Sequence, residues 1–152
     1  MEAIDSCKYL FLASLVEPEE GGLRIVIHEA RPSGAVDASV LATEALPEVR
    51  AVLQQCSAIE HGRGCKVFTL YWPRYIAYAV ENESYANGSP AEESSGRLFR
   101  EYTKSAYLDY LAIATFASKD YPGPFKHWGV MCLDHVINVA STDEPVINVA
   151  VA

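Results

Sequence analysis

The sequence has no hydrophobic run long enough to cross a membrane. Its most apolar stretch is Tyr9–Val16, far shorter than the ~20 residues that a membrane helix needs. Residues 1–5 include two acidic side chains, Glu2 and Asp5, whereas a secretory signal begins with basic ones. We therefore expect no membrane association, and we expect the protein to stay in the cytoplasm.

The cysteines show no paired spacing. There are four, and no CxxC pair is among them: Cys7, Cys56, Cys65 and Cys132. This usage is typical of free thiols in a reducing compartment. Cys56, His61 and Cys65 lie close in sequence, but the short paired spacings of a structural zinc site are missing. We expect no metal site and no cofactor.

Basic residues are scarce. Twelve lysines and arginines stand against twenty aspartates and glutamates, which gives a net charge of −8 at pH 7. Such a surface repels phosphate backbones, so we expect no nucleic-acid binding. Charge complementarity favours a basic protein as the partner instead.

Sequence signatures of catalysis are also missing. There is no Gly-x-Ser-x-Gly nucleophile elbow, and Gly62-x-Gly64 precedes a strand-like run instead of the helix that a phosphate-binding loop needs. The adjacent carboxylates lie in turn-like, solvated segments, unlike the environment of a general acid or base. They are Glu19-Glu20, Glu92-Glu93 and Asp143-Glu144. We therefore expect no catalytic residues and a protein that is not an enzyme.

What is present is the composition of an ordinary globular domain. The chain has 152 residues, of which 50% are hydrophobic and 21% are charged. A chain of this length is typical of one domain with a sizeable core, so we predict a single α+β domain over residues 1–152. Strand-like runs separated by short turns predict a mostly antiparallel sheet. The runs are 8–16, 23–28, 65–72, 74–80, 98–104, 125–133, 136–140 and 146–149.

Two segments have helical character. The clearer one covers about residues 106–118, where Ser105 is a suitable N-cap and Asp109 suits the positive end of the helix dipole. Its apolar stripe at three-and-four spacing consists of Leu108, Leu111, Ala112, Thr115 and Phe116. A second short helix is expected over about residues 47–55, with Pro47 in its first turn.

Polar side chains of several kinds crowd the end of the strand-like run 74–80. They are Tyr78, Glu81, Asn82, Glu83, Ser84 and Tyr85. One interpretation is a solvated turn at the end of a strand. The other is a partner-binding patch, in which the carboxylates meet cationic groups and the tyrosines supply contact area.

Part of the pattern is shared with a known class of proteins. The residues that carry it are Tyr78-x-Val80-x-Asn82-Glu83-Ser84-Tyr85, Gly96, Leu98-Phe99-x-x-Tyr102-x-x-Ser105-x-x-Leu108-x-Tyr110, His127, Asn138 and Pro145. Over roughly its second half, the chain resembles small stand-alone bacterial proteins of the immunity type, whose genes neighbour those of polymorphic toxins. This resemblance implies a cytoplasmic α+β protein that binds and neutralises one toxin domain without catalysis.

Two alternatives to this non-catalytic protein-binding function stay open. The first is a small-ligand-binding domain with a pocket between sheet and helix, for which Tyr78, Tyr102 and His127 are the candidate lining residues. The second is an enzyme of an uncharacterised type. A deep cavity with convergent polar groups favours these alternatives, whereas a flat acidic face with exposed tyrosines favours the protein binder.

Overall fold

The strands form two antiparallel sheets, not the single sheet that the sequence predicted. A computed structural model describes all residues, 1–152, and its strands and helices confirm the α+β class. The strands are β1 Tyr9–Val16, β2 Leu23–Ala35, β3 Ser57–Glu60, β4 Lys66–Trp72, β5 Tyr75–Asn82, β6 Glu93–Ser95, β7 Phe99–Lys104, β8 Lys126–Met131, β9 His135–Ser141 and β10 Val146–Val151. The helices are α1 Glu2–Asp5, α2 Ala38–Thr43, α3 Pro47–Leu53 and α4 Ala106–Ala114, together with a short 3₁₀ turn, Glu83–Tyr85.

Each sheet has five strands. The first sheet has the order β1-β2-β4-β10, and β3 pairs with the far end of β2. The second sheet has the order β5-β9-β8-β7-β6. Neighbouring strands run antiparallel in both sheets, and short turns join some of them, such as β8 and β9, into hairpins.

The hydrophobic core lies between the two sheets. Strand alternation places Leu23, Ile25 and Ile27 of β2 on one buried face. The second sheet contributes its own inward row, in which Trp128 lies 6.3 Å, centroid to centroid, from Trp72 of the first sheet. The second sheet therefore has one face in the core and one outer face that is free to build a site.

The two predicted helices form, with changes at their ends. The clear helix stops at Ala114 and not near residue 118, because Thr115 has the extended backbone angles φ −133° and ψ 170°. Phe116 therefore lies beyond the helical spacing and is 95% exposed, and Leu111 is the buried residue of α4. The short helix ends at Leu53 and not near residue 55, and it has no buried residue.

Two further helices, α1 and α2, were not predicted from the sequence. Asp37 begins α2 by accepting a hydrogen bond from the Ser39 amide at 2.7 Å. In α1, the Asp5 carboxylate accepts hydrogen bonds from the amides of Leu98 and Phe99 at 2.7 and 2.9 Å. No helix of the protein combines the length and the apolar character that crossing a membrane requires.

Candidate functional site

A cavity of about 770 Å³ lies on the outer face of the second sheet. Its floor is made by β5, β7, β8 and β9, and its walls are made by α4, the segment 83–92 and the start of β1. This volume is within the range of small-molecule sites, roughly 300–1,000 Å³. A pocket between sheet and helix is therefore present in the fold.

The floor of the cavity carries two stacked rings. Tyr102 of β7 pairs in register with His127 of β8, and their ring centroids are 4.3 Å apart at an angle of 12°. Gly129 leaves room for this arrangement, since a Cβ there would meet the side chains of Tyr102 and Met131 at 2.9 and 2.7 Å. Of the three candidate lining residues that the sequence singled out, Tyr102 and His127 line this cavity and Tyr78 does not, because Tyr78 packs on the core side of β5.

A chain of hydrogen bonds crosses the floor from α4 to β5. Ser105 Oγ lies 2.8 Å from His127 Nδ1, and His127 Nε2 lies 2.9 Å from Asn138 Oδ1. Asn138 Nδ2 in turn donates to Glu81 Oε1 at 2.9 Å. Because the amide oxygen only accepts, Nε2 carries a proton. In the neutral ring the Ser105 hydroxyl therefore donates to Nδ1, and the network selects the tautomer that is protonated at Nε2.

Burial also keeps His127 uncharged. Its removal from water lowers the pKa of the imidazole, while the hydrogen bond with Asn138 and the charge of Glu92 act in the opposite direction. The net direction is downward from the ordinary value of 6.5. At neutral pH the floor of the cavity therefore presents a neutral, hydrogen-bonded aromatic surface.

Ser105 and His127 have the atoms of a nucleophile and its base, but Ser105 is only 1% exposed. Its oxygen also accepts the Leu108 amide at 3.1 Å, as the N-cap of α4. Ser105 is not among the residues that line the cavity. This contact therefore fixes α4 onto the sheet, because one hydroxyl holds both the helix and the ring.

Tyr107 on the first turn of α4 completes the aromatic wall. Its ring centroid lies 5.0 Å from that of His127 and 6.4 Å from that of Tyr110. Burial, followed by the nearby Tyr110 and Glu81, raises the pKa of the Tyr107 phenol to about 12. The phenol therefore stays protonated at neutral pH and can donate a hydrogen bond.

Charges of both signs line the cavity without pairing. The cations are Lys8, Arg97 and Arg100, and the carboxylates are Glu81, Glu83 and Glu92. None of these six residues takes part in any of the ion pairs of the protein. Arg100 on β7 and Glu81 on β5 are separated by β8 and β9, so their strands lie about 14 Å apart. Arg100 and Glu81 therefore lie on opposite sides of the cavity, while Glu92 accepts the amide of Ala106, the first residue of α4, at 3.1 Å.

The partner-binding patch predicted from the sequence is divided among three environments. Tyr78 packs against the core, and its pKa is raised by a hydrogen bond with Glu17 and by burial. Glu81 and Glu83 line the cavity. The remaining three residues form the exposed 3₁₀ turn and its cap: Asn82, whose side chain accepts the Ser84 amide at 2.9 Å, Ser84, and Tyr85, which is 85% exposed.

Sequence reasoning missed most of the charged lining. Lys8 and Arg100 lie 92 positions apart in the chain, and no short motif joins them. Strand alternation could have placed Asn138 on the outer face of the second sheet, because it lies on β9 opposite Gly129 of β8. That prediction requires the strand order, which the sequence did not provide.

The cysteines and histidines away from the cavity form no metal centre. All four cysteines are free thiols, and no group of three or more His, Cys, Asp and Glu side chains is placed to hold a metal ion. His61 instead stacks on His28 at 4.1 Å and makes a 2.9 Å hydrogen bond with the Glu29 carbonyl oxygen.

The arrangement as a whole can hold a small molecule between separated charges and against aromatic rings. The rings of the floor offer hydrogen bonds, and Arg100 and Glu81 offer charges of opposite sign across it. No protein-family model matches the chain, and neither does any curated protein or solved structure. Conclusions about function therefore rest on this geometry.

Proposed function

We propose that the protein binds a small zwitterionic molecule in the cavity between α4 and the second sheet. The observation that carries the proposal is the set of three cations and three carboxylates that line one cavity without an ion pair between them. Glu92 and Arg100 are half-buried, and the other four charged residues are exposed. A ligand with both signs of charge can form charge-assisted hydrogen bonds with cations and carboxylates of the cavity at once.

The distance between the charged side chains limits the length of the ligand. The strands that carry Arg100 and Glu81 are about 14 Å apart, and both side chains reach inward from them. The charged groups of the ligand are therefore a few ångströms apart, as in free amino acids and dipeptides. The tyrosine-rich walls favour a ligand with an apolar or aromatic body.

The experiment is a thermal-shift screen with free amino acids and dipeptides, each paired with its form blocked at both ends. A ligand that binds only the folded state raises the melting temperature. We expect free forms to raise it and blocked forms to leave it unchanged, since blocking removes both charges. Equal shifts with free and blocked forms, or no shift with any compound, would contradict the proposal.

Two conservative variants connect binding to the cavity. Glu81→Gln removes one charge and keeps the shape, and Arg100→Gln removes one charge and leaves a shorter polar side chain, so each is expected to weaken binding of the best ligand about tenfold by titration calorimetry. Arg63→Gln and Glu48→Gln are the matched controls, because both residues are exposed and lie outside the cavity. The controls keep the affinity of the wild-type protein.

Protein binding is a second candidate function. Apolar side chains are exposed on α4 and just after it: Tyr110, Ile113, Phe116 and Tyr121. With Tyr85 and the net charge of −8, they favour a basic protein partner that makes apolar contacts. Neutralisation of a cognate toxin domain is the form of this proposal that the sequence resemblance implies.

Its test uses variants that leave the core intact. Tyr85→Ala and Phe116→Ser remove exposed contact area, so melting temperatures stay close to that of the wild-type protein. Capture of a basic partner from the native host, followed by mass spectrometry, is expected to fail with both variants. Undiminished capture would exclude these side chains from the interface.

A further inference from the structure

We propose that two copies of this chain associate through β10, so that their first sheets join into one continuous antiparallel sheet. The proposal concerns the edge of the first sheet and does not depend on the cavity, which lies on the second sheet. An open strand edge presents unpaired backbone N–H and C=O groups, and another strand can satisfy them.

The β10 edge is open and uncharged. β10 pairs with β4 on one side, and no strand pairs with its other side. None of its six residues, Val146–Val151, has a charged side chain. Five of the six are exposed, and Val149 is 50% exposed. An exposed, apolar edge of this kind is a predicted site of strand pairing.

The other sheet edges carry features that discourage pairing. The edge strands β1 and β5 each contain a register shift, between Leu12 and Ser14 in β1 and between Tyr75 and Ala77 in β5. β6 has three residues, including Glu93, and β3 has four and ends at Glu60. Bulges, charges and short length are the usual protections of edge strands. β10 has no register shift against β4 and no charge.

The backbone of β10 presents a complete set of pairing groups. The Ala152 amide donates to the Cys65 carbonyl oxygen at 2.9 Å on the β4 side. Since backbone groups alternate between the two sides of a strand, those of Ile147, Val149 and Val151 face the open side. An antiparallel pair centred on Val149 places Ile147 opposite Val151 of the other copy and forms about six hydrogen bonds.

A second copy fits this edge because β10 has no charged side chain and can pair with itself about Val149. Each chain has a net charge of −8, so the rest of the two surfaces repel one another. Added salt screens the repulsion between the two copies. Self-association through β10 is therefore expected to strengthen as salt rises, whereas binding of a basic partner weakens.

Sedimentation velocity over a range of protein and salt concentrations tests the proposal. We expect the mass to rise from 16.7 kDa to about twice that value, at lower protein concentration when salt is high. Val149→Lys places two lysines opposite each other at the centre of the pair. It is expected to give a monomer, although it makes the chain less negative.

Two further variants make the result specific to the strand edge. Val149→Pro removes the N–H that faces the open side and leaves the β4 ladder intact, so it is also expected to give a monomer. Val80→Lys is the matched control, because Val80 is 43% exposed on β5, and this variant is expected to dimerise. A wild-type protein that stays monomeric, a dimer that survives both Val149 changes, or a monomeric Val80→Lys would overturn the proposal.

Discussion

At the scale of single residues, His127 connects the fold to the cavity. It is buried, it stacks on Tyr102, and it is hydrogen-bonded at both ring nitrogens. Protonation turns Nδ1 from an acceptor into a donor, so the Ser105 hydroxyl has to reverse its direction. It also places a charge in a buried site, so the stability of the floor depends on the neutral form of this side chain.

This dependence predicts that stability falls on mild acidification. The folded protein holds the pKa of His127 below 6.5, so around and below that pH the unfolded chain binds the proton more readily. The free energy of unfolding therefore decreases as pH falls from about 7.5 to about 5.5. We expect His127→Gln to flatten this profile, measured by urea unfolding at each pH.

His28→Gln is the control for that measurement. Burial and the charge of His61 also lower the pKa of His28, so this variant removes a separate part of the pH dependence of the free energy of unfolding. Carboxylates with lowered pKa values, such as Asp143, lose their contribution only at lower pH. An unchanged slope in His127→Gln would contradict the assignment of a neutral His127.

Ser105 is the other residue on which the floor depends. Ser105→Ala removes the N-cap of α4 and leaves His127 Nδ1 without its donor, so we expect a loss of about 1–3 kcal/mol in the free energy of unfolding. Ser84→Ala, at an exposed position, is the control and is expected to change stability by less than about 0.5 kcal/mol. Equal effects in urea unfolding would show that the cap has no such role.

At the scale of elements, the connection between β6 and β7 depends on a glycine. Gly96 has a φ of +88°, and a Cβ there would overlap the Phe99 carbonyl group and approach Asp5 Oδ2 at 3.2 Å. The same turn brings the Leu98 and Phe99 amides to the Asp5 carboxylate. The start of β7 and the N-terminal helix α1 are therefore held together at this point.

Gly96→Ala is expected to destabilise the protein more than the same change at Gly64. Gly64 has a similar φ of +83°, but a Cβ there has nothing within 4 Å. Gly64→Ala therefore costs only the left-handed conformation, about 1–2 kcal/mol. Urea unfolding gives the free energy of unfolding of each variant, and the difference between the two values measures the cost of the overlap with Phe99. Equal losses would mean that the turn relaxes without cost.

Local sequence patterns predicted most of the elements. Alternation in residues 23–28 marked β2, the β-rich composition of residues 65–72 marked β4, and Ser105 marked the start of α4. The end of α4 was missed because Thr115 and Phe116 continue the apolar spacing, while the backbone at Thr115 is extended. The split into two sheets was also missed, since it depends on pairings such as β4 with β10 that join distant segments.

At the scale of the whole molecule, two packed sheets leave one outer face for the cavity. Sequence reasoning found Tyr102 and His127, which lie in the predicted strands and line the cavity. It missed Lys8, Arg97 and Arg100, because their position beside one cavity follows from the order of the strands. Local patterns identify elements, whereas a site built from several strands requires their three-dimensional arrangement.

The most direct test of the central claim uses the two methionines of the chain. Met131 lines the cavity, and Met1 lies at a different surface depression. In protein labelled with ¹³C at the methionine methyl groups, titration with the best free dipeptide of the thermal-shift screen is expected to move the Met131 resonance saturably. The Met1 resonance is expected to stay in place. Binding that leaves the Met131 resonance unmoved, or that shifts both equally, would contradict ligand binding in this cavity.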